Sequence, residues 1–313
     1  MTTADAFRVA PSPPISPDAA DDTASLYHPA TYATATAVDA AAWLDDIVAL
    51  ARGAGRAILA VYHGDDDALD VRRKDDDSPV TAADDASHRH IADRLARRAV
   101  RLPIVSEESA APAWSTRARW QRYWLIDPLD GTKEFLKRND EFSVNIALIE
   151  DGVPRLGVVH APVLGETYAA VRGAGAWQID ADGGRTPLDA AGTADAAPLR
   201  IISSRSHGSP RLAAFRDALD APHEVTRLGS ALKMGRVAAG VADVYPRLGP
   251  TMTWDTAAAH AVLDEAGGAL LTVDGDALRY DRPSLRNPWF VALSQRGARS
   301  AWRQALDAAN RAR

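Results

Sequence analysis

A short turn with two carboxylates, which directly follows an apolar segment, is the most constraining feature of the chain. Residues 124–126 (WLI) predict a buried strand, and residues 127–132 (DPLDGT) end it. Proline fixes one backbone angle and glycine permits a tight turn, so Asp127 and Asp130 are held in one bend. Oxygen ligands of this kind suit Mg²⁺, which usually also contacts substrate phosphate. The segment therefore favours metal-assisted phosphoryl chemistry, and an ordinary Asp-Gly turn is the alternative for this segment alone.

Three further acidic sites are candidates to converge on this turn. Residues 102–106 predict a short strand that ends in two glutamates, of which Glu107 is expected to point inward. Asp255 precedes a predicted helix, residues 257–266, that ends at two glycines, and Asp84 lies in the first turn of another helix. Each site has an ordinary alternative: an exposed glutamate pair, a helix N-cap, or an acid favoured by the helix dipole.

These acidic sites match one known family in their order along the chain. The chain resembles the lithium-sensitive, magnesium-dependent phosphatases, which include inositol monophosphatase, fructose-1,6-bisphosphatase and the 3'(2'),5'-bisphosphate nucleotidases. The resemblance covers residues 40–295 and rests on the DPLDGT turn together with residues 254–268 (WDTAAAHAVLDEAGG). The sequences DGTKEF, SRSH, GSALKM and YPRLGPTMTWD, which begin at residues 130, 204, 229 and 245, are most similar to the bacterial bisphosphate nucleotidases associated with sulfur assimilation.

The resemblance implies a magnesium site built from five residues. Glu107, Asp127 and the main-chain carbonyl of Leu129 are expected to hold one Mg²⁺. Asp127, Asp130 and Asp255 are expected to hold a second ion, so Asp127 would bridge the two. A site with three ions, the third held more weakly near Glu107, is the alternative. Paired ions in such sites neutralise phosphate oxygens, lower the pKa of a bound water and stabilise the leaving oxygen.

The resemblance also assigns catalytic roles close to the turn. Thr132 and Asp84 are expected to form a hydrogen-bonded pair that orients and deprotonates the attacking water, with help from Glu107. The main-chain N–H groups of Gly131 and Thr132 are expected to bind phosphate, as free N–H groups do where a helix begins. No phospho-enzyme is required in this scheme.

Basic residues in the second half of the chain are the candidates for substrate selection. A ribose with phosphates on both sides needs cations for the phosphate that is not cleaved, and Arg205, Lys233 and Arg247 lie in the branch-specific sequences. For Lys233 and Arg247 a plain surface charge is the alternative, since such residues are usually exposed. His260 is expected to pack within its helix, and the sequence has no Cys-His or His-His spacing typical of zinc sites.

From this resemblance we expect a Mg²⁺-dependent phosphoric monoester hydrolase of the bisphosphate nucleotidase type. It would convert adenosine 3',5'-bisphosphate (PAP) to AMP and phosphate, and also its sulfated precursor PAPS to APS. One alternative is an inositol-1-monophosphatase or a broader sugar-phosphate phosphatase with the same metal site. An alternative of another class is a non-catalytic sensor of magnesium or nucleotide. Sensitivity to lithium follows from the resemblance alone.

Composition agrees with a globular protein that acts on a small substrate. The 313 residues carry a formal net charge of −6, with 46% hydrophobic and 25% charged residues. This charge disfavours a nucleic-acid polymer as partner and suits a small phosphonucleotide. The chain has no cysteine, which fits a reducing cytoplasm, and no apolar run of transmembrane length. We expect a cytoplasmic monomer or homodimer, free or peripheral at the inner membrane.

Hydrophobic spacing outlines the secondary structure. It predicts a first core helix over residues 43–62 and a second helix, after residue 82, with apolar positions at Ala86, Ile91 and Leu95. Residues 142–179 predict several antiparallel strands, and strands alternate with helices after residue 199.

The domain organisation is predicted from composition and from the resemblance. Residues 1–38 are rich in Ala, Pro, Asp and Thr, lack periodicity and predict a disordered tail. We expect an N-terminal α+β domain, residues 39–190, with most metal ligands, and a C-terminal α/β domain, residues 191–313, with Asp255 and the substrate-selecting residues. The resemblance implies an α/β fold, a layered αβαβα sandwich of the inositol monophosphatase and fructose-1,6-bisphosphatase type, with the metal site between its halves.

Overall fold

The chain folds into two large β-sheets and the helices that cover them. The computed structural model describes residues 40–64, 69–73, 79–191, 198–205, 210–219 and 221–312, so the predicted tail, residues 1–38, lies outside it. Among the described residues, no helix combines the length and the apolar character needed to span a membrane. The helices are α1 (Ala40–Tyr62), α2 (Ala82–Ala96), α3 (Trp114–Arg117), α4 (Thr132–Leu136), α5 (Pro210–Asp217), α6 (Leu232–Ala238), α7 (Ala257–Glu265), α8 (Gln295–Ala298) and α9 (Trp302–Arg311).

The first large sheet has seven strands in the order β3-β4-β5-β6-β7-β8-β9. They are β3 (Ile104–Ser106), β4 (Arg122–Asp130), β5 (Ser143–Glu150), β6 (Val153–Ala161), β7 (Glu166–Val171), β8 (Gly175–Ile179) and β9 (Arg185–Pro187). β3 runs parallel to β4, and all later neighbours are antiparallel, which confirms the antiparallel strands predicted from the sequence. The β5–β6 hairpin turns at Asp151 and Gly152, whose φ angles of 51° and 75° suit a two-residue turn.

The second large sheet has five strands in the order β11-β10-β12-β14-β13. They are β10 (Leu199–Ser204), β11 (His223–Leu228), β12 (Val244–Arg247), β13 (Ala269–Thr272) and β14 (Phe290–Leu293). β10 is parallel to β11 and β12, whereas β14 pairs antiparallel with β12 and β13. A small antiparallel ribbon of β1 (Arg72–Arg73) and β2 (Pro79–Val80) lies outside both sheets.

Three buried hydrophobic clusters lie between five layers of secondary structure, and the cluster around α6 and α7 contacts both large sheets. Along β4, Trp124 and Ile126 belong to the cluster formed with α1 and α2, whereas Tyr123 and Leu125 belong to the cluster formed with α6 and α7. This alternation is the period of a strand that is buried on both faces. The third cluster joins the outer face of the second sheet to α5 and α9. The layer order is therefore helix, sheet, helix, sheet, helix, which confirms the predicted αβαβα sandwich.

The predicted N-terminal helices are present. α1 begins three residues before the predicted start, and α2 contains Ile91 and Leu95 as buried residues. Ala86, the third apolar position named for α2, is only half-buried. Ala83 and Ser87 are buried instead, because they share with Ile91 and Leu95 a stripe of four-residue spacing, and Ala86 lies off that stripe.

The division into two domains, residues 39–190 and 191–313, stays a prediction. β9 belongs to the first sheet and β10 to the second, so the chain changes sheet between residues 187 and 199. Helix α7, from the second half, packs on β5, β6 and β7 of the first half. The two halves therefore share a hydrophobic core, and a functional site between them has a packed support.

Gly157, in the middle of β6, lets α7 lie directly on the first sheet. A Cβ atom on Gly157 would lie 2.2 Å from the carbonyl oxygen of Ala258 and 2.7 Å from the Cβ of Ala261. Neither neighbour is a flexible side-chain end, so a methyl group at this position must push the helix away from the sheet.

We expect Gly157→Ala to lower the free energy of unfolding by about 1–3 kcal/mol, the usual cost of an overpacked core. Chemical denaturation measures the change. Gly249→Ala is the matched control, because a Cβ atom on Gly249 meets nothing within 4 Å. Equal stability of the two variants would contradict close packing of α7 on β6.

Candidate metal and active site

Two neighbouring strand ends place the first pair of carboxylates. Ser106 at the end of β3 lies opposite Ile126 of β4. The N–H of Glu107 donates to the carbonyl of Ile126 at 3.3 Å. Glu107 and Asp127 therefore lie side by side, each one residue beyond this paired position. This is the inward orientation expected for Glu107.

A β-bulge in β4 aims the two aspartates of the DPLDGT turn. Asp127 pairs with Asn145, and Asp130 pairs with Ser143, so β4 has one extra residue between the pairs. In a regular strand, residues three apart point to opposite faces of the sheet. The extra residue removes this alternation. Gly131 follows with a φ of 97° and turns the chain into α4.

Asp255 reaches the turn from the second half of the chain. It ends a short 3-10 helix, Thr253–Asp255, just before α7. The N–H of Met252 donates to the Asp255 carboxylate at 2.9 Å, which fixes the side chain. Carboxylate oxygens of Glu107, Asp127 and Asp255 all lie within 4.8 Å of one another. The structure thus brings together three of the predicted metal ligands, which we call the acidic cluster.

Burial and mutual repulsion perturb these carboxyl groups. Burial raises the pKa of Asp127 well above its usual value of 3.8, and the charges of Glu107 and Asp130 raise it further. Burial and the charge of Asp130 likewise raise the pKa of Asp255. A bound cation would relieve both effects, because opposite charge nearby favours the ionised form.

Asp130 lies beside the acidic cluster and is held by two donors. Its Oδ2 accepts the N–H of Ala231 at 2.5 Å and the side-chain amide of Asn145 at 3.3 Å. Burial raises the pKa of Asp130 to about 6, although Lys233 and these two donors act in the opposite direction. Oδ2 is thus engaged in hydrogen bonds, so Oδ1 is the atom better placed to bind a cation.

The donor set fits a hard divalent cation. The acidic cluster and Asp130 offer carboxylate oxygens, and the main-chain carbonyl of Leu129 lies in the same turn. Oxygen-only ligands of this kind suit Mg²⁺ or Mn²⁺ rather than zinc, which is usually bound by nitrogen or sulfur. The predicted ligands are therefore chemically suited to the metal that the sequence suggested.

Asp84 and Thr132 lie together next to the turn. Asp84 is 1% exposed, and its Oδ2 accepts the N–H and the hydroxyl of Thr81, each at 2.7 Å. The hydroxyl of Thr132 donates to Asp84 Oδ1 at 3.3 Å and lies 3.4 Å from the Leu129 carbonyl. The predicted pair is thus in hydrogen-bond contact, and the capping box of α2 fixes the orientation of Asp84.

A cleft of about 210 Å³ opens between the two halves at this point. Both acidic groups and basic residues line it, together with the start of α4. The predicted residues that line the cleft are Glu107, Asp130, Gly131, Thr132, Asp255, Arg205, Lys233 and Arg247. All three cations predicted for substrate selection therefore face the site.

Two of these cations are buried rather than on the surface. Lys233 is 6% exposed, and its ammonium lies 5.4 Å from the ring centre of Tyr245. Arg247 is 9% exposed and donates to the Ser204 hydroxyl at 2.6 Å. The surface alternative for both residues was therefore wrong. Arg205 differs, because its side chain is 45% exposed and forms an ion pair with Glu141.

Several residues that support the site were not predicted from the sequence. The hydroxyl of Ser87 donates to the carbonyl of Pro128 at 2.6 Å and so ties α2 to the DPLDGT turn. Asn145 holds Asp130, and Glu141 holds Arg205. These contacts join residues that are distant in sequence, and no local pattern indicates them. Ser204 is an exception, since it stands next to Arg205 in a sequence already assigned to the site.

His260 is not part of the acidic cluster. Its Nδ1 lies 3.1 Å from the Tyr280 hydroxyl, and its Nε2 lies 3.2 Å from the Asp264 carboxylate. The residue is 3% exposed within α7. These contacts confirm the packing role that was expected for it.

Comparisons with known proteins place the chain in a family. A family model described as the inositol monophosphatase family matches residues 39–313. The chain belongs to this family. The 3'(2'),5'-bisphosphate nucleotidases named CysQ of Escherichia coli (strain K12) and Salmonella typhimurium are 48% identical to it over 248 residues. Each match covers 79% of this chain and 98% of the relative, which confirms the predicted resemblance to the bacterial bisphosphate nucleotidases.

Solved structures agree with this assignment. The crystal structure of CysQ from Bacteroides thetaiotaomicron, described as a bacterial member of the inositol monophosphatase family, is 37% identical with a TM-score of 0.69. It matches 79% of this chain and 94% of the other chain. An IMPase of Thermotoga maritima is 25% identical with a TM-score of 0.67, over 85% of this chain and 96% of the other. The fold is thus the fold of the family.

The raised pKa values determine how stability depends on pH without metal. A group with a raised pKa binds a proton in the folded protein at a pH where the unfolded chain has released it. Unfolded aspartate ionises near pH 3.8. Protonated Asp127 therefore favours the folded state, and this contribution to the free energy of unfolding is lost progressively as the pH rises from about 4 toward the pKa of Asp127 in the folded protein.

We expect Asp127→Asn to melt at a higher temperature than the wild type in EDTA, because asparagine removes the charge and can still accept the Leu129 N–H. The difference in melting temperature between Asp127→Asn and the wild type should increase between about pH 5 and pH 7.5. Saturating Mg²⁺ should reverse the order, since a ligand at 100 times its dissociation constant stabilises by about 2.7 kcal/mol. Thermal unfolding measures both effects.

Asp93→Asn is the control for these experiments, because its carboxylate is 70% exposed and pairs only loosely with Arg97 at 3.9 Å. We expect neither effect in this variant. An Asp127→Asn protein that is less stable than the wild type in EDTA, yet is still stabilised by Mg²⁺, would contradict the role of the acidic cluster.

Proposed function

We propose that the protein is a Mg²⁺-dependent 3'(2'),5'-bisphosphate nucleotidase. It removes the 3'-phosphate of PAP to give AMP and phosphate, and it also converts PAPS to APS. The cleft supports this proposal, because carboxylates and the cations Arg205, Lys233 and Arg247 line the same cavity. This arrangement suits a small substrate with two phosphates. The similarity to relatives named 3'(2'),5'-bisphosphate nucleotidase supports the same substrate.

The metal ligands are assigned as the sequence predicted. Glu107, Asp127 and the Leu129 carbonyl would hold one Mg²⁺, Asp127, Asp130 and Asp255 would hold a second, and a third, weaker position would lie near Glu107. The close approach of three carboxylates supports this assignment. When bound, such ions neutralise phosphate oxygens and make water more acidic.

Thr132 and Asp84 handle the proton of the attacking water. The Thr132 hydroxyl donates to Asp84 Oδ1, so its lone pairs are directed away from Asp84 and can accept a hydrogen bond from water. As water passes a proton to the Thr132 oxygen, Thr132 passes its own proton to Asp84 Oδ1. The resulting hydroxide attacks phosphorus, the P–O bond to the ribose 3'-oxygen breaks, and that oxygen takes up a proton from solvent. Asp84 is held on its other oxygen by Thr81, so it keeps its orientation during this transfer. Glu107 assists from the opposite side of the turn. Alignment and proton transfer of this kind typically accelerate a reaction by about 10²–10⁴-fold.

The two phosphates of the substrate bind to different parts of the cleft. The N–H groups of Gly131 and Thr132 at the start of α4 bind the phosphate that is cleaved, because the first N–H groups of a helix lack partners within it. Lys233 and Arg247 bind the other phosphate from the opposite side. Their burial strengthens the attraction, since charges interact more strongly away from water.

An inositol-1-monophosphatase or a broader sugar-phosphate phosphatase is the second candidate function. The similarity to the IMPase structure of Thermotoga maritima supports it, although the identity is only 25%. The two candidates share the acidic cluster and the proton-handling pair. They differ in whether the buried cations bind a second phosphate, so substrates with one and two phosphates distinguish them.

The wild-type protein should prefer a substrate with two phosphates. We expect kcat/KM for PAP to exceed that for adenosine 3'-monophosphate by about 10–100-fold, because a hydrogen bond to a charged group contributes about 1.5–3 kcal/mol. Phosphate release with Mg²⁺ measures both rates, and inositol 1-phosphate serves as a third substrate. Equal rates on the two nucleotides, or faster turnover of inositol 1-phosphate, would overturn the substrate assignment.

Substitutions of Thr132 test the proton-handling pair. Thr132→Val has nearly the same shape but no hydroxyl, so we expect kcat to fall by about 10²–10⁴-fold with PAP. Thr132→Ser keeps the hydroxyl and should retain most of the activity. Steady-state kinetics at saturating Mg²⁺ measure the difference. A valine variant as active as the serine variant would exclude Thr132 from the reaction.

A further inference from the structure

Glu141 connects the first half of the chain to the second half. It lies two residues before β5, and its Oε2 accepts the N–H of Gly229 at 2.8 Å. The same oxygen accepts a hydrogen bond from Nε–H of Arg205 at 2.7 Å, and a second Arg205 nitrogen donates to the other carboxylate oxygen. That second nitrogen also donates to the Arg227 carbonyl at 3.3 Å. A paired fork of this kind is directional and strong.

Glu141 holds residues 229–231. This segment contacts the DPLDGT turn, residues 127–132, which we call the metal turn. The N–H of Ala231 donates to Asp130 at 2.5 Å, and the ammonium of Lys233 donates to the Ser230 carbonyl. A Cβ atom on Gly229 would lie 2.5 Å from the Glu141 carbonyl oxygen, so the backbone segments around Gly229 and Glu141 are in direct contact. The position of residues 229–231 therefore sets the position of Lys233 relative to Asp130.

Backbone strain is concentrated on both sides of this contact. Arg138, Asp140 and Ser230 are not glycines, yet their φ angles are 55°, 68° and 46°. Such conformations cost of order 1–3 kcal/mol each and persist only where surrounding contacts fix them. Here Tyr62 donates to Asp140 at 2.8 Å, and the N–H of Glu141 donates to the Asn139 side chain at 3.2 Å. The loop before Glu141 is thus held in place by several contacts.

We propose that Glu141 is a positioning residue for substrate selection and that Arg205 acts through Glu141 rather than on the substrate. The carboxylate fixes residues 229–231 against the metal turn and so sets the distance between the acidic cluster and Lys233. This distance is matched to the two phosphates of the substrate. The charge of Arg205 is already compensated by Glu141, so little of it is left for a phosphate. The inference rests on the proposed nucleotidase function.

Kinetics of Glu141→Ala, Arg205→Ala and the double variant test the inference. We expect each single variant to raise KM for PAP by about tenfold, with little change in kcat or in KM for adenosine 3'-monophosphate. Residues that act as one unit are not additive, so the double variant should also raise KM by only about tenfold. A loss that is merely structural would instead change the kinetics of both nucleotides.

Two further variants control this experiment. Glu150→Ala breaks a comparable arginine–glutamate pair with Arg122 at the other end of β4, where the two side chains are 16% and 25% exposed. It should leave KM for PAP unchanged. Glu141→Gln keeps an acceptor for Gly229 but loses the charge, so we expect a smaller rise in KM. This variant also serves if Glu141→Ala does not fold.

Three outcomes would overturn the inference. Additive effects, about 100-fold for the double variant, would mean that Arg205 binds the phosphate independently of Glu141. A Glu141→Ala variant that keeps the wild-type preference for PAP would overturn the inference and leave the proposed function standing. A wild-type protein without that preference would overturn the proposed function and the inference with it.

Discussion

The repulsion between carboxylates that the fold brings together is the constraint on which the site depends. Glu107, Asp127 and Asp255 place their oxygens within 4.8 Å of one another, although burial and neighbouring charge oppose ionisation of the two aspartates. An arrangement that costs stability in this way is typical of functional sites, where surrounding structure supports it. Here the support comes from the β3–β4 pairing, the bulge in β4 and the packing of α7 between the sheets.

The site also depends on both halves of the chain. Glu107 follows β3, Asp127 lies in the neighbouring strand β4 of the first sheet, and Asp255 precedes α7 in the second half. Lys233 and Arg247 come from the second half as well, and residues 229–231 contact Asp130 of the metal turn and Glu141 before β5. Because the two halves share a hydrophobic core, packing away from the cleft holds together the residues that each half contributes to it.

Local sequence patterns predicted those parts of the structure that depend on neighbours in the chain. The apolar run before Asp127, the helix over residues 43–62 and the helix that carries Asp84 in its first turn are all present. The burial of Lys233 was not predictable, because lysine is normally exposed and its neighbour Tyr245 comes from another element, β12. The Glu141–Arg205 and Ser87–Pro128 contacts were not predictable either, since they join residues 64 and 41 positions apart. The family resemblance predicted the layers, which periodicity alone does not determine.

The number of divalent ions bound by each chain tests directly whether the carboxylates at the end of β4 form a metal site. Mn²⁺ can replace Mg²⁺ at oxygen sites and is counted by electron paramagnetic resonance of the free ion during a titration. The account predicts at least two ions per wild-type chain in the presence of AMP and phosphate, and the loss of both in Asp127→Ala, because Asp127 bridges them. Unchanged binding in Asp127→Ala, or no binding by the wild type, would contradict the claim that the carboxylates at the end of β4 form a metal site.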